Sequence, residues 1–365
     1  MLLEQGALWY LICWFRTLFA MTRILLIALL VVVAPVAVVA DDTSLYTGAV
    51  TVAGQGAEER REALPLALAH VLRKLSGTRD LASLPGIEDA LQRAPSLLLT
   101  FYYRTVEHPM PDGAVREELR LLARFAQPGV DELVRQLQLP LWPPQRRPAE
   151  IWLVIDDGDG RRILPPEFDY LRFALDDAAY LRGLPLRWPQ PDEEGMYPVD
   201  LQLLWGGYTE DLASPSGDGV LILTAGREGP AWNIRANLGF RAQNWSWRRQ
   251  DFDLQAGLVA ALQSAVDQVA AASAIAPTDL GAWSYDVTVA GLRGAADYQT
   301  CLAWLQGLSI VDRVAVHAAE PAQVTFRLEL TAMPRYLEDA IANGRLLEYD
   351  AERDHYRLRG AGDER

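Results

Sequence analysis

The segment from Gly54 to Glu59 is the first place where residue types and spacing could do chemistry. Gly54 and Gly56 lie between a predicted strand and a predicted helix, as the glycines of a dinucleotide-binding turn do. That turn needs a third glycine where this chain has Glu59, and an acidic helix start repels a pyrophosphate. We therefore predict a plain strand-to-helix turn and no nucleotide cofactor.

A second turn carries three carboxylates, Asp156, Asp157 and Asp159, which could bind a hard cation. A calcium-binding EF-hand loop that began at Asp157 would place Arg162 where the loop needs glycine. The same loop would place Phe168 where it needs a bidentate glutamate. The segment therefore predicts a solvated turn at the end of a strand, and no metal ion.

The rest of the sequence lacks catalytic groups with the spacing of a known motif. None of the four histidines, His70, His108, His317 and His355, forms a close pair suited to zinc, and no G-x-S-x-G turn occurs. A hydrolase assembled from distant residues stays an alternative, because carboxylates are abundant. The sequence predicts a non-enzymatic protein without catalytic, cofactor-binding or metal-binding residues.

Three tryptophans form the candidate binding surface. Trp232 lies on one predicted strand, and Trp245 and Trp247 share one face of the next strand. Exposed rings on a sheet bind sugars or peptides, since they offer apolar area and a polar edge. In the other interpretation, which the sequence favours, the rings seal the sheet against a helix predicted over residues 255–272.

The stretch from Met21 to Ala40 has the composition of an export signal. Arg23 precedes an uncharged apolar run from Ile24 to Ala40, which ends in small residues before Asp41. We predict translation from Met21 and cleavage after Ala40, which places the mature chain in the periplasm. The alternative is an uncleaved segment, Ile24 to Ala40, that anchors the chain in the inner membrane.

Charge and cysteine content limit the partners of the chain. The formal net charge is −14 and no basic stripe interrupts it, so the protein would repel phosphate backbones and anionic headgroups. Nucleic acid is therefore excluded as a partner, and contact with a membrane is expected only through an uncleaved N-terminal segment. Cys13 precedes the predicted cleavage point, so Cys301 would be the one thiol of the exported chain and no internal disulfide is expected.

Hydrophobic periodicity predicts an α+β and α/β fold built from small mixed-sheet modules in series. An N-terminal extension and signal over residues 1–40 precedes an α+β module over 41–140 and an α/β module with a C-terminal helix over 148–274. The last module, over residues 283–360, has the predicted order strand, helix, strand, strand, helix, strand. That order is typical of a ferredoxin-like βαββαβ unit.

Three stretches carry a resemblance to a bacterial family. They are the run VTVAGQGAEERREALPLALAHVLRKLSGTRDLASLPGI, the segment GLPLRWPQPD and the LWGGY that follows it. Together with the order of elements over residues 44–275, they resemble the bacterial proteins that carry the domain of unknown function 2066. The resemblance implies an exported cell-envelope protein with no established catalytic residues.

The expected function is that of a non-enzymatic periplasmic adaptor or assembly factor with a protein partner in the envelope. Its basis is the export signal, the serial small modules, which commonly serve as interaction surfaces, and the lack of an organised catalytic set. The alternative is an envelope glycan- or peptide-binding protein, or a hydrolase, that uses the tryptophan-bearing strands.

Overall fold

The first sheet of the structure packs against a long helix that begins after Gly56. The computed structural model describes residues 45–212, 219–344 and 346–359, all within one compact unit that spans residues 43–365. The antiparallel order β1-β3-β2 is formed by β1 (Thr47–Thr51), β2 (Leu98–Pro109) and β3 (Val115–Phe125). The accompanying helices are α1 (Ala57–Ser76), α2 (Ile87–Gln92), α3 (Ala94–Leu97) and α4 (Gln127–Gln136).

Helix α1 packs so closely on β1 that one strand residue must be glycine. A Cβ atom on Gly48 would lie 2.0 Å from the carbonyl oxygen of Ala67, so a larger residue would separate the helix from the strand. Leu68 is fully buried on this side of the helix. The helix continues through Pro65, which removes one backbone donor, and ends at Gly77 in the left-handed conformation (φ 72°).

The second sheet combines a parallel pair with an antiparallel meander. Its strands are β4 (Ala149–Asp156), β5 (Arg161–Ile163), β6 (Leu186–Arg187), β7 (Val220–Glu228), β8 (Ala231–Phe240) and β9 (Gln243–Asp251). The order is β5-β4-β7-β8-β9, with β6 paired to β4, and β4 runs parallel to β7. Helices α5 (Tyr170–Arg182) and α7 (Leu254–Ser273) pack on one face, and α6 (Leu201–Gly206) packs on part of the other.

The third sheet follows the predicted βαββαβ order and adds one strand. Its elements are β10 (Leu280–Ala290), α8 (Ala295–Gln306), β11 (Val311–Glu320), β12 (Gln323–Ala332), α9 (Pro334–Asn343), β13 (Leu347–Asp350) and β14 (His355–Leu358). The strand order is β11-β12-β10-β14-β13. The added strand β13 takes the edge, and β14 lies next to β10 and runs parallel to it.

The predicted fold class is confirmed, because helix and strand each make up 36% and several small mixed sheets follow one another. Short 3₁₀ helices lie in the connections, at Pro166–Phe168, Glu210–Leu212 and Pro277–Asp279. Within residues 45–212, 219–344 and 346–359, no helix combines the length and the apolar character needed to cross a bilayer. The predicted signal, its start at Met21 and its cleavage after Ala40 lie outside the described residues.

Candidate functional site

A pocket of about 470 Å³ lies where the second sheet, the third sheet and their flanking linkers meet. We call it the junction pocket. Its aromatic and aliphatic walls come from segments far apart in the chain, namely Trp142, Phe240, Trp304, Leu308, Ile310 and Tyr336. Such a volume and such walls are typical of sites for small organic molecules.

Two linkers pair to form the base of the junction pocket. The backbone N–H of Leu141 donates to the Ile275 carbonyl at 2.9 Å, and the N–H of Ile275 donates back to the Leu141 carbonyl at 2.8 Å. Next along the chain, the buried Trp142 donates its backbone N–H to the Leu75 carbonyl at 2.8 Å. These bonds fix the Trp142 ring relative to α1 and α7.

Helices α8 and α9, which pack on the third sheet, supply the opposite wall. The Tyr336 hydroxyl donates to Asp279 Oδ2 at 2.6 Å and accepts from the backbone N–H of Ala276 at 3.3 Å, which holds the tyrosine ring in one position. This hydroxyl also holds the pKa of Asp279 below its usual range. A Cβ atom on Gly344 would lie 2.6 Å from the Trp304 ring, so glycine gives that ring its space.

Arginines give the junction pocket its polar character. The guanidinium of Arg146 stacks on Trp142 at 3.7 Å and donates to the carbonyls of Lys74 and Gly183, at 2.6 and 2.7 Å, so its role is structural. Arg241, in the turn between β8 and β9, donates a hydrogen bond from Nη1 to the Ala272 carbonyl at 2.9 Å. Its other donors have no hydrogen-bond partner among the described residues and can donate to an anion.

The charge of Arg241 is maintained inside the pocket. Burial lowers the pKa of Arg241, and the nearby Asp339 carboxylate raises it. Because a guanidinium titrates far above neutral pH, Arg241 keeps its positive charge. The junction pocket can therefore hold an apolar body against its rings and an anionic group at Arg241. In the part of the chain that the structure describes, no group of three or more His, Cys, Asp or Glu could hold a metal ion.

The three candidate tryptophans lie on the sheet face that α7 covers. Trp245 stands opposite Leu238 and Trp247 opposite Ala236, and both rings pack half-buried against the cluster that α7 completes. Trp232 is buried on the same face. The indole N–H of Trp247 is buried without an acceptor in the described structure. This placement favours the interpretation in which the rings seal the sheet against the helix.

The two turns that the sequence singled out are filled by their own side chains. A Cβ atom on Gly56 would lie 2.1 Å from Glu59 Oε2, so the Glu59 carboxylate occupies the space that a phosphate would need. In the acidic turn, Arg162 pairs with Asp157 at 3.1 Å and with Glu167 at 2.7 Å. Asp156 lies 3.8 Å from Arg161.

Sequence reasoning missed the junction pocket because its residues are distant in the chain. The one local signal was the combination of Trp142 with Arg146 and Arg147 in the proline-rich linker, which marks an aromatic and basic segment. That segment was interpreted only as a boundary between modules. The contributions of Arg241 and Trp304 follow from tertiary structure, which periodicity does not predict.

Comparison with known proteins corrects the family resemblance. A family model described as Domain of unknown function (DUF8605) matches residues 40–143, and nothing supports the resemblance to the domain of unknown function 2066, which was wrong. None of the curated proteins matches the chain. A solved structure described as "Crystal structure of uncharacterized protein" is 14% identical over 36% of this chain and 93% of that chain, with a TM-score of 0.14.

Proposed function

We propose that this chain is an exported, non-enzymatic adaptor of the cell envelope that binds an amphipathic, singly charged anion in the junction pocket. The observation that carries the proposal is that the guanidinium of Arg241, which has donors left over, lies in the same pocket as several aromatic side chains. The export signal and the envelope partner expected from the sequence belong to the same proposal.

The lining of the junction pocket determines the class of ligand. Rings such as Trp304 and Phe240 favour an apolar body, because burying apolar surface contributes roughly 25 cal/mol per Å². A guanidinium favours a carboxylate or a sulfonate, which accepts charge-assisted hydrogen bonds. The Asp339 carboxylate, which also lines the pocket, disfavours a doubly charged group. A medium-chain fatty acid meets all three conditions.

The position of the junction pocket connects ligand binding to the adaptor role. Its walls belong to Phe240 and α7 on the second sheet, to α8 and α9 on the third sheet, and to the linkers that contain Trp142 and Ile275, so a bound ligand contacts all of them at once. A ligand that binds only the assembled junction stabilises it by mass action. The relative position of the second and third sheets at this junction is then more rigidly fixed when the ligand is bound.

A fluorescence titration tests the pocket. We expect 1-anilinonaphthalene-8-sulfonate to bind the full chain and dodecanoate to displace it. Ala340→Phe fills the pocket from α9 and should weaken binding at least tenfold. Ala303→Phe makes the same change at an exposed position of α8 outside the lining and should leave binding intact. Equal binding by both variants would show that the dye binds elsewhere and would remove the proposal.

The envelope part of the proposal has its own measurement. Cell fractionation followed by intact-mass determination should recover a chain that begins at Asp41 from the periplasm, and crosslinking in intact cells should capture an envelope protein. A chain recovered at full mass from the cytoplasm would contradict the export signal.

A further inference from the structure

Two arginines stand directly opposite each other on the face of the second sheet that α7 leaves uncovered. Arg235 on β8 pairs in register with Arg248 on β9. They line an open cavity of about 810 Å³, together with Thr224, Asn233, Gln250 and Trp205. We call this surface the arginine face. It shares no lining residue with the junction pocket.

The alternation of the strands places these side chains together. On β8, Trp232, Ile234, Ala236 and Leu238 belong to the core beneath α7, so the intervening Asn233 and Arg235 point the other way. On β9, Trp245 and Trp247 belong to that core, and Arg248 and Gln250 therefore lie beside Arg235 and Asn233. The strands that buried the candidate tryptophans thus present a polar face on their reverse side.

Among the described residues, no carboxylate forms an ion pair with Arg235 or Arg248. Arg235 donates through Nη2 to the backbone carbonyl of Trp205, but its buried Nε has no hydrogen-bond partner in the described structure. Arg248 is exposed, and no carboxylate of the described residues pairs with it. The one acidic side chain in the lining, Glu228, accepts from the Asn233 amide.

Like charges directly opposite each other in a sheet are unfavourable, so this pair costs stability. Burial lowers the pKa of Arg235 most strongly, and the charges of Arg248 and Arg161 lower it further. A cleft lined by positive charge attracts anions locally, even on a protein of net charge −14.

The groups around the two arginines fit a sugar. The Trp205 ring forms one wall, and Gly226 beside it adds no side chain to the cavity. Arg161 stacks over the Trp205 ring at 4.3 Å, so a sugar would contact the remaining apolar surface of the indole. The amides of Asn233 and Gln250 offer donors and acceptors suited to hydroxyl groups.

We propose that the arginine face binds a saccharide that carries an oxyanion group, either a carboxylate or a phosphate. The guanidinium of Arg248 receives the oxyanion in the two-point geometry that both groups accept, and Arg235 adds a second positive charge. The Trp205 ring and the two amides contact the sugar. This site is separate from the junction pocket and does not depend on what that pocket binds.

Isothermal titration of the full chain tests the site with trigalacturonate, glucose 1-phosphate and the neutral maltotriose. We expect at least one anionic probe to bind at least tenfold more tightly than maltotriose, with an affinity that falls as salt increases. Arg248→Gln should weaken that binding at least tenfold. Arg313→Gln removes another exposed arginine, from the third sheet, and should have no effect.

The folding of the variant separates binding from structure. Removing Arg248 relieves repulsion, so the unfolding midpoint of Arg248→Gln should equal or exceed that of the unaltered protein. Loss of binding without loss of stability supports the proposal for whichever oxyanion binds. The proposal is overturned if neither anionic probe binds at millimolar concentration, or if Arg248→Gln binds as tightly as the unaltered chain.

Discussion

The ammonium group of Lys74 lies 3.9 Å from the centre of the Tyr180 ring, so the chain's only lysine joins α1 to α5. Its Nζ also donates to the Thr47 carbonyl at 3.1 Å, and the residue is 1% exposed. Burial, and to a smaller extent the charge of Arg146, lowers the pKa of Lys74 to about 8, while Asp177 opposes the shift.

This lowered pKa predicts that stability rises with pH in mildly alkaline solution. Below pH 8 both the folded and the unfolded chain carry the Lys74 proton. Above it the folded chain loses the proton, whereas the unfolded chain keeps it up to its ordinary pKa of 10.5. The unfolded state then binds more protons, so the contribution of Lys74 to the free energy of unfolding should rise by about 2 kcal/mol between pH 7.5 and 9.5.

Urea unfolding across this pH range measures the effect. Lys74→Met should abolish the Lys74 contribution to the slope, whereas Arg61→Met, which removes an exposed charge from the same helix, should keep it. An identical slope in both variants would mean that Lys74 keeps an ordinary pKa.

Cys301 should be unreactive in the folded protein. The side chain is fully buried, and burial raises the pKa of the Cys301 thiol to about 11, so hardly any thiolate exists at pH 7.5. We expect iodoacetamide to leave it unmodified in native buffer and to alkylate it in 6 M guanidinium, which is a strong denaturant. Peptide mass mapping reads the Cys301 peptide directly. Rapid alkylation of the native protein would contradict the burial.

Arg182 should be a strong determinant of stability. It donates to the Gly77 carbonyl at 2.8 Å, to Gln263 Oε1 at 2.5 Å and to Asp267 Oδ1 at 2.7 Å, and thereby connects α1, α5 and α7. Arg182→Leu removes the donor of the Gly77 carbonyl and of Gln263 Oε1 and leaves Asp267 with Arg79, and it should lower the free energy of unfolding by about 3 kcal/mol. Arg79→Leu removes a half-exposed partner of the same Asp267 and should cost less than about 1 kcal/mol. Equal losses in chemical denaturation would refute this assignment.

The half-buried Trp247 should stabilise the second sheet rather than bind ligand. Trp247→Ala leaves a space beneath α7 and should lower the free energy of unfolding by about 3 kcal/mol. Trp247→Phe keeps the ring and removes the buried N–H that lacks an acceptor, so its cost should stay below about 1 kcal/mol. Thermal unfolding of both variants measures these two losses of stability. A stable Trp247→Ala variant would return the ring to the list of binding candidates.

Local patterns in the sequence were enough to predict most of the elements. Alternation over residues 219–254 is typical of strands such as β7, β8 and β9, and the run of turn residues at Pro109 to Gly113 is typical of a hairpin such as β2–β3. The missed strands β5, β6 and β13 are two to four residues long. Strands of that length show no measurable period and form only because a longer neighbour offers them hydrogen bonds.

The sites were harder to predict than the elements because they depend on pairing between distant segments. The sequence indicated that Trp245 and Trp247 share a face, but it could not show that α7 covers that face. Because α7 covers it, the alternate residues of β9, Ser246 and Arg248, are the accessible ones. Arg235 and Arg248 looked unremarkable in the sequence because their opposition depends on the register of β8 against β9.

The position of β14 determines when the third sheet can finish folding during synthesis of the chain. β14 is inserted between β10 and β13 although it follows both in the chain, so the edge of β10 stays unpaired until residues 355–358 are available. A chain made from its N-terminus has all strands of the first two sheets by residue 251, whereas the third sheet must wait. In that interval the open edge of β10 can pair with another nascent chain, which makes the third sheet the part of the protein most exposed to aggregation.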